Sequence, residues 1–182
     1  MSRVRTIAFT GHHPESLPFG ENELDPMCIR LKAMLLTEIM DKAAQGYGTF
    51  FCGVARGSDI LFGRQVLLVK AMEYPKIRLV CVVPHEEQAK NWPEFWRDRY
   101  FKLLEQADEM VLISTKYVSG CYHSRNRYLV DNADALLTVY NGSLIGSSAY
   151  TVKYAWQKNK EIICINPDTM ERSLILPRQA TE

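Results

Sequence analysis

The sequence lacks a CxxC pair, a bilayer-length apolar run and an excess of charge of either sign. Its five cysteines, Cys28, Cys52, Cys81, Cys121 and Cys164, are odd in number and scattered. That argues against a disulfide framework and for reduced thiols. Cys52, Cys81 and Cys164 lie inside apolar runs, where a free thiol packs as a small hydrophobe. Charges interrupt every apolar run within a few residues, so no transmembrane helix and no membrane partner are expected. Lys and Arg number 22 against 21 Asp and Glu, a formal net charge of +1. The totals therefore carry no sign of a broadly basic nucleic-acid surface, and a nucleic-acid partner is not expected. Met1-Ser2-Arg3-Val4-Arg5 has neither the apolar stretch nor the cleavage site of a secretory leader, which makes the cytoplasm the expected compartment. His12, His13, His85 and His123 show no spacing that preassembles a metal site. No metal and no required cofactor are expected.

What is present is an alternation. Six short apolar runs, at residues 4–10, 49–53, 77–83, 110–114, 135–140 and 161–165, are mostly continuous. Continuous runs suit strands covered on both faces of a parallel sheet. Between them lie helical stripes such as Cys28, Leu31, Leu35, Ile39 and Trp96, Tyr100, Leu103, Ala107. Gly46 and Gly48 supply a helix stop after the first stripe. The pattern predicts a single α/β domain over residues 1–166, a doubly wound, mainly parallel Rossmann-like sheet of about six strands. Residues 167–182, with two prolines and little periodicity, are expected to be an irregular tail.

Ligands of such sheets bind beyond the carboxyl ends of the strands, so the loops there matter most. After the first strand stand Thr10, Gly11, His12 and His13; Gly11 permits a sharp turn beside a hydroxyl and two imidazoles. After the second come Gly53, Ala55, Arg56, Gly57, Ser58 and Asp59 at the start of a helix. Small residues there leave backbone N–H groups uncovered at a positive helix end, and Arg56 adds a bidentate donor for phosphate. Capping by Ser58 or Asp59 is the plainer alternative. After the fifth strand, the run from Asn141 through Gly142, Gly146, Ser147 and Ser148 again describes an anion cradle ahead of a helix. Trp92 and Trp96 open an aromatic helix, where core packing is commoner than a base stack.

At these loops the chain resembles the YpsA-like family of the SLOG superfamily of Rossmann-like domains. That superfamily includes the DNA-processing protein DprA and the LONELY GUY phosphoribohydrolases. The resemblance is carried by Thr10-Gly11-His12 with Pro14, Gly53-x-Ala55-x-Gly57-x-Asp59, and Pro84, Gln88, Asn91 and Trp92. Arg125-Asn126, Asp131, Ala133-Asp134 and Asn141-Gly142 continue it. It implies a nucleotide-derived ligand and draws Trp92, Arg125, Asn126 and Gly142 towards the site. His13 stands where such proteins commonly have Arg, and Gly146-Ser147-Ser148 replaces a Gly-Gly-Thr pattern. The glutamate that follows this loop in the phosphoribohydrolases is absent; Thr151, Val152 and Lys153 stand there.

The expected function is binding or sensing of a nucleotide, nucleotide-sugar or ADP-ribose type of ligand. One alternative is a nucleotide N-glycosidase or phosphoribohydrolase, with Asp59 or Asp131 as the acid. A second is DprA-like binding of single-stranded DNA. A homo-oligomer is compatible with the sequence.

Overall fold

The computed structural model of the protein describes residues 3–178. Seven strands form one sheet: β1 (Arg5–Gly11), β2 (Tyr47–Cys52), β3 (Arg78–Val83), β4 (Glu109–Leu112), β5 (Ala135–Val139), β6 (Glu161–Ile165) and β7 (Arg172–Ile175). Their order is β4-β3-β2-β1-β5-β6-β7. The first six run parallel, and β7 pairs antiparallel with β6. Five helices make the crossovers: α1 (Pro26–Ala44), α2 (Ser58–Met72), α3 (Glu94–Gln106), α4 (Cys121–Asp131) and α5 (Ser147–Gln157). Among the described residues no helix is long and apolar enough to cross a membrane.

Local chemistry accounts for these elements. Asp25 caps α1 by accepting the Met27 N–H at 2.8 Å, and Pro26 occupies the first turn, where its missing N–H costs nothing. The stripe Cys28, Leu31, Leu35, Ile39 is wholly buried. Successive residues of β1 point to opposite faces: Ile7 and Phe9 enter the larger core under α1, α2 and α3, while Ala8 enters the smaller core under α4 and α5. Phe9 stacks on Phe62 of α2 with ring centroids 4.3 Å apart. Both faces of the sheet are therefore covered, as continuous apolar strands require.

The segment expected to be an irregular tail instead supplies the seventh strand. β7 is a solvent-exposed edge strand, and its apolar run, Leu174-Ile175-Leu176, is too short to mark a strand by periodicity. It is held by its ladder to β6 and by Arg172, which donates to both carboxylate oxygens of buried Glu38 on α1, through Nη2 to Oε2 at 3.2 Å and through Nε to Oε1.

β1 lies in the middle of the sheet, with β2 on one side and β5 on the other. Chain order reverses there, and the loops leaving β1 and β5 part to open a crevice.

Candidate functional site

The loops after β1 and β2 are packed into each other through their glycines. A Cβ on Gly11 would lie 2.2 Å from Ser58 Oγ, and one on Gly53 would lie 2.5 Å from Arg125 Nη1. Gly57 has φ +89°, and a Cβ there would meet the His12 carbonyl oxygen at 2.8 Å. Ser58 is fully buried; its Oγ and its N–H both donate to that same carbonyl, at 2.8 and 3.2 Å. Gly53, Gly57 and Ser58 thus face the protein interior instead of the crevice.

Neither Ser58 nor Asp59 caps α2, whose N-cap is Gly57. Asp59 is buried and accepts the Ala55 N–H at 3.3 Å. Burial pushes its carboxyl up to about 6, against the pull of the Arg125 guanidinium and the backbone N–H groups. It is not the helix cap that the sequence offered as an alternative.

The crevice has two lobes, of about 500 and 630 Å³, that share His13, Gly146 and Ser147. This seam includes the N-terminus of α5, where Gly146 at φ +103° is the N-cap and no side chain caps the helix. The smaller lobe is lined mainly by polar side chains, among them His12, Glu15, Asn141, Ser143 and Ser148, with Ile145 beside them. His12 Nε2 is fixed beside Asn141, 2.9 Å from its Oδ1 and 3.1 Å from its backbone N. The larger lobe is aromatic, walled by Trp92, Tyr122, His123 and Tyr150, with Arg56 at its rim. His123 stacks on Tyr150 at 4.3 Å, and Trp92 packs edge-on against Tyr100 at 5.3 Å.

Two buried polar side chains line the aromatic lobe and are pinned by consecutive carbonyls of the β2 loop. Gln88 Nε2 donates to the Val54 carbonyl at 3.3 Å, which leaves its Oε1 buried with no partner. Arg125 is 4% exposed; it donates through Nη1 to the Gly53 carbonyl and through Nε to Asn126 Oδ1 at 2.7 Å. Asn126 Nδ2 in turn donates to Ser147 Oγ at 2.8 Å, so one chain of hydrogen bonds runs from β2 to the start of α5. Among the described residues no carboxylate forms an ion pair with Arg125. Burial lowers its pKa and Asp59 counters that effect through space.

The titratable groups of the seam are distinct. Loss of water lowers the His13 pKa below 6.5 even though the ring reaches solvent; Glu15 opposes the shift, while Arg125 and Arg56 reinforce it. Glu15 accepts from Arg56 Nη2 at 2.7 Å. Its own backbone N–H holds its pKa below the usual carboxylate range; desolvation opposes this, and Arg56 adds to the lowering.

Of the residues singled out in the sequence, His12, His13, Arg56, Trp92, Arg125, Gly146, Ser147 and Ser148 line the crevice. Thr10, Gly11, Gly53, Gly57, Ser58, Asp59 and Asn126 support it from behind, and all but Gly11, Gly53 and Gly57 do so as buried polar groups. Gly142 is exposed at φ +87° and lies outside the lining. Asp131 is remote: at the far end of α4 it accepts from Tyr154 Oη at 3.0 Å, with Lys158 at 3.8 Å. Sequence reasoning missed Glu15, Gln88, Tyr122, His123 and Tyr150 as wall residues. Glu15, two residues after His13 in the same loop, was within reach; the aromatic walls come from separate helices and had no shared spacing to announce them.

A doubly wound, mainly parallel sheet with a crevice at its switch point defines a Rossmann-like domain. Comparison with known sequences makes this specific. The chain belongs to the YspA SLOG family: that family's model, YpsA, matches residues 7–170. A UPF0398 protein of Bacillus cereus is 30% identical over 159 residues, which cover 86% of this chain and 85% of that protein. A UPF0398 protein of Bacillus thuringiensis is 29% identical over the same coverage. Among solved structures, DNA processing protein A from Helicobacter pylori, described for its single-stranded DNA binding mode, superposes with a TM-score of 0.61 at 16% identity. The match covers 90% of this chain and 66% of that one. The structural-genomics target TM1055 superposes with a TM-score of 0.54 at 16% identity, over 87% of this chain and 72% of that one. At such identity the two structures share the fold.

Proposed function

We propose that the crevice binds a nucleotide or nucleotide-derived phosphate ligand and that the protein acts as a binding module. The observation that carries this is the seam between the lobes. An α-helix begins there without a side-chain cap, and its free N–H groups and positive dipole end favour an anion. Behind it Arg125 is 4% exposed and, among the described residues, in no direct ion pair; Asp59 acts on it only through space, and an anionic ligand adds a favourable charge. Beside it the larger lobe is lined by Trp92, Tyr122, His123 and Tyr150, aromatic side chains against which a base can pack.

The hydrolase alternative has less support. Glu15 is the one carboxylate among the described lining residues, and it is held ionised and paired with Arg56. Single-stranded DNA binding is a property of the Helicobacter relative. Here the net charge of +1 gives it little electrostatic footing.

Thermal unfolding against a panel of nucleotides, nucleotide sugars and ADP-ribose tests the reading. A ligand at 100 times its dissociation constant contributes about 2.7 kcal/mol of stability, while plain sugars should leave the melting temperature unchanged. A flat profile across the panel, with salt-sensitive retention of an oligothymidylate instead, would transfer the site to DNA.

A further inference from the structure

β7 ends the sheet, and among the described residues no strand lies beyond it. Just before the strand, the Glu171 carbonyl accepts the Asn166 N–H at 2.9 Å, so the backbone of Glu171, Ser173 and Ile175 faces β6. Alternation along the strand then turns the N–H and C=O groups of Arg172, Leu174 and Leu176 outward. Such a row is a template for another strand, and proteins commonly blunt it with projecting charge. β4, at the opposite edge, is guarded in this way: exposed Glu109 is tied to Arg78 at 3.0 Å. β7 is not. Its one charged residue, Arg172, is tied to buried Glu38, while Leu174, Ile175 and Leu176 are left exposed.

The surface beside this edge is apolar as well. A groove of about 340 Å³ runs between α5 and β7, walled by Leu144, Val152, Trp156 and Ile175. A contiguous exposed apolar surface of this kind marks an interaction site. Charge selects the occupant. Glu171 precedes β7 and, by the alternation of side chains, lies on the same face as Ile175, towards α5. Arg178 follows β7, and its guanidinium lies 4.4 Å from the ring centre of Trp156 on α5. The Glu171 carboxylate accepts from Thr169 Oγ1 at 3.3 Å and Arg178 Nη2 donates to the Trp156 carbonyl at 3.3 Å; among the described residues neither side chain has an ion-pair partner. An edge that is acidic at its start and basic at its end complements a second copy of itself laid antiparallel, and repels one laid parallel.

We propose that β7 pairs antiparallel with β7 of a second copy of the chain, about a twofold axis at Leu174, and so joins the two sheets into one. The contact is isologous, the same patch serving both copies. Leu174 then lies opposite its own counterpart, Arg172 opposite Leu176, and Glu171 opposite Pro177 and beside Arg178 of the second copy. Symmetry makes that charge contact twice. The two grooves flank the axis on the α5 face, where Ile175 of each copy meets Ser173 of the other. This inference is independent of what the crevice binds.

Analytical ultracentrifugation of the full chain, from roughly 1 to 100 μM, is expected to show a species of twice the 20.9 kDa chain mass. Leu174→Lys sets two like charges against each other on the axis and is expected to weaken the dimer at least about tenfold. Leu174 is exposed, so this variant keeps the fold, which circular dichroism checks. Glu171→Arg and Arg178→Glu are each expected to weaken the dimer about tenfold, and the double variant to return within about threefold of the parent. A chain that stays monomeric throughout the range overturns the second copy as the occupant of this edge. A dimer that Leu174→Lys leaves unchanged overturns its placement at β7. A double variant no better than the single ones overturns the antiparallel register.

Discussion

Asp59 and Gly57 are adjacent but one, and each turned out to serve the interior. Gly57 was readable as a phosphate contact because glycine before a helix often is one; the structure shows instead a left-handed residue wedged against the His12 carbonyl. The sequence marked the right loop, while the direction each small residue faces depended on a packing partner 46 positions away in the chain, as the Ser58–His12 hydrogen bond records. Asp59 lends itself to a pH test. Its folded-state pKa, about 6, lies above the ordinary value of 3.8, so the folded chain holds a proton that the unfolded chain has released. The stability it contributes is fully present below pH 3.8 and is lost as pH rises through about 6, a change on the order of 3 kcal/mol. Urea unfolding between pH 4 and 7 is expected to show this decline, and Asp59→Asn is expected to flatten it. Parallel profiles for parent and variant would mean that another group titrates.

Elements with a buried stripe or a doubly covered run were legible, because their periodicity is imposed by the core they enter. α1 and α3 are such cases, as are β1, β3 and β5. β7 was not legible: all four of its residues are exposed, and its order comes from partners instead of burial. Those partners suggest how to loosen it. Arg172→Ala leaves the Glu38 carboxylate, 6% exposed on α1, without its counter-ion and removes the tie between helix and edge strand. Because Arg172 itself is partly open to solvent, the expected loss is roughly 1–3 kcal/mol, below that of a fully buried pair. Denaturation midpoints measure the cost, and faster amide hydrogen exchange in residues 172–175 would locate it. A variant with wild-type exchange there would show that the ladder to β6 alone holds the strand.

The whole molecule assembles its crevice from loops that follow β1, β2, β3 and β5 together with the start of α4. The fold rule that ligands gather at the strand carboxyl ends made the β1, β2 and β5 loops findable. The α4 wall required the tertiary structure, since Tyr122 and His123 stand eight and nine residues beyond the end of the fourth apolar run at Ser114. Among the described residues the walls hold one carboxylate, Glu15, and Asp59 and Asp131 are respectively behind and remote from them. Nucleoside monophosphates are accordingly expected to yield no free base above background over hours. Positioned acid–base help, worth ~10²–10⁴-fold, has no protonated carboxyl from which to come. Base release that disappears in Glu15→Gln would reverse this and make the protein a hydrolase.

The pairing of β1 with β5 sets the timing of assembly on the ribosome. Residues 7–11 leave the exit tunnel early, yet their second neighbour is residues 135–139, and the seam is completed only by the helix that follows. Through most of synthesis β1 is an open parallel edge, able to pair with β2 and nothing on its other side. Chains arrested before α5 emerges should therefore show no ligand-dependent protection from protease, and chains arrested beyond β6 should show it. The last quarter of the chain thus acts as the closing step for a site whose first wall was made at the start.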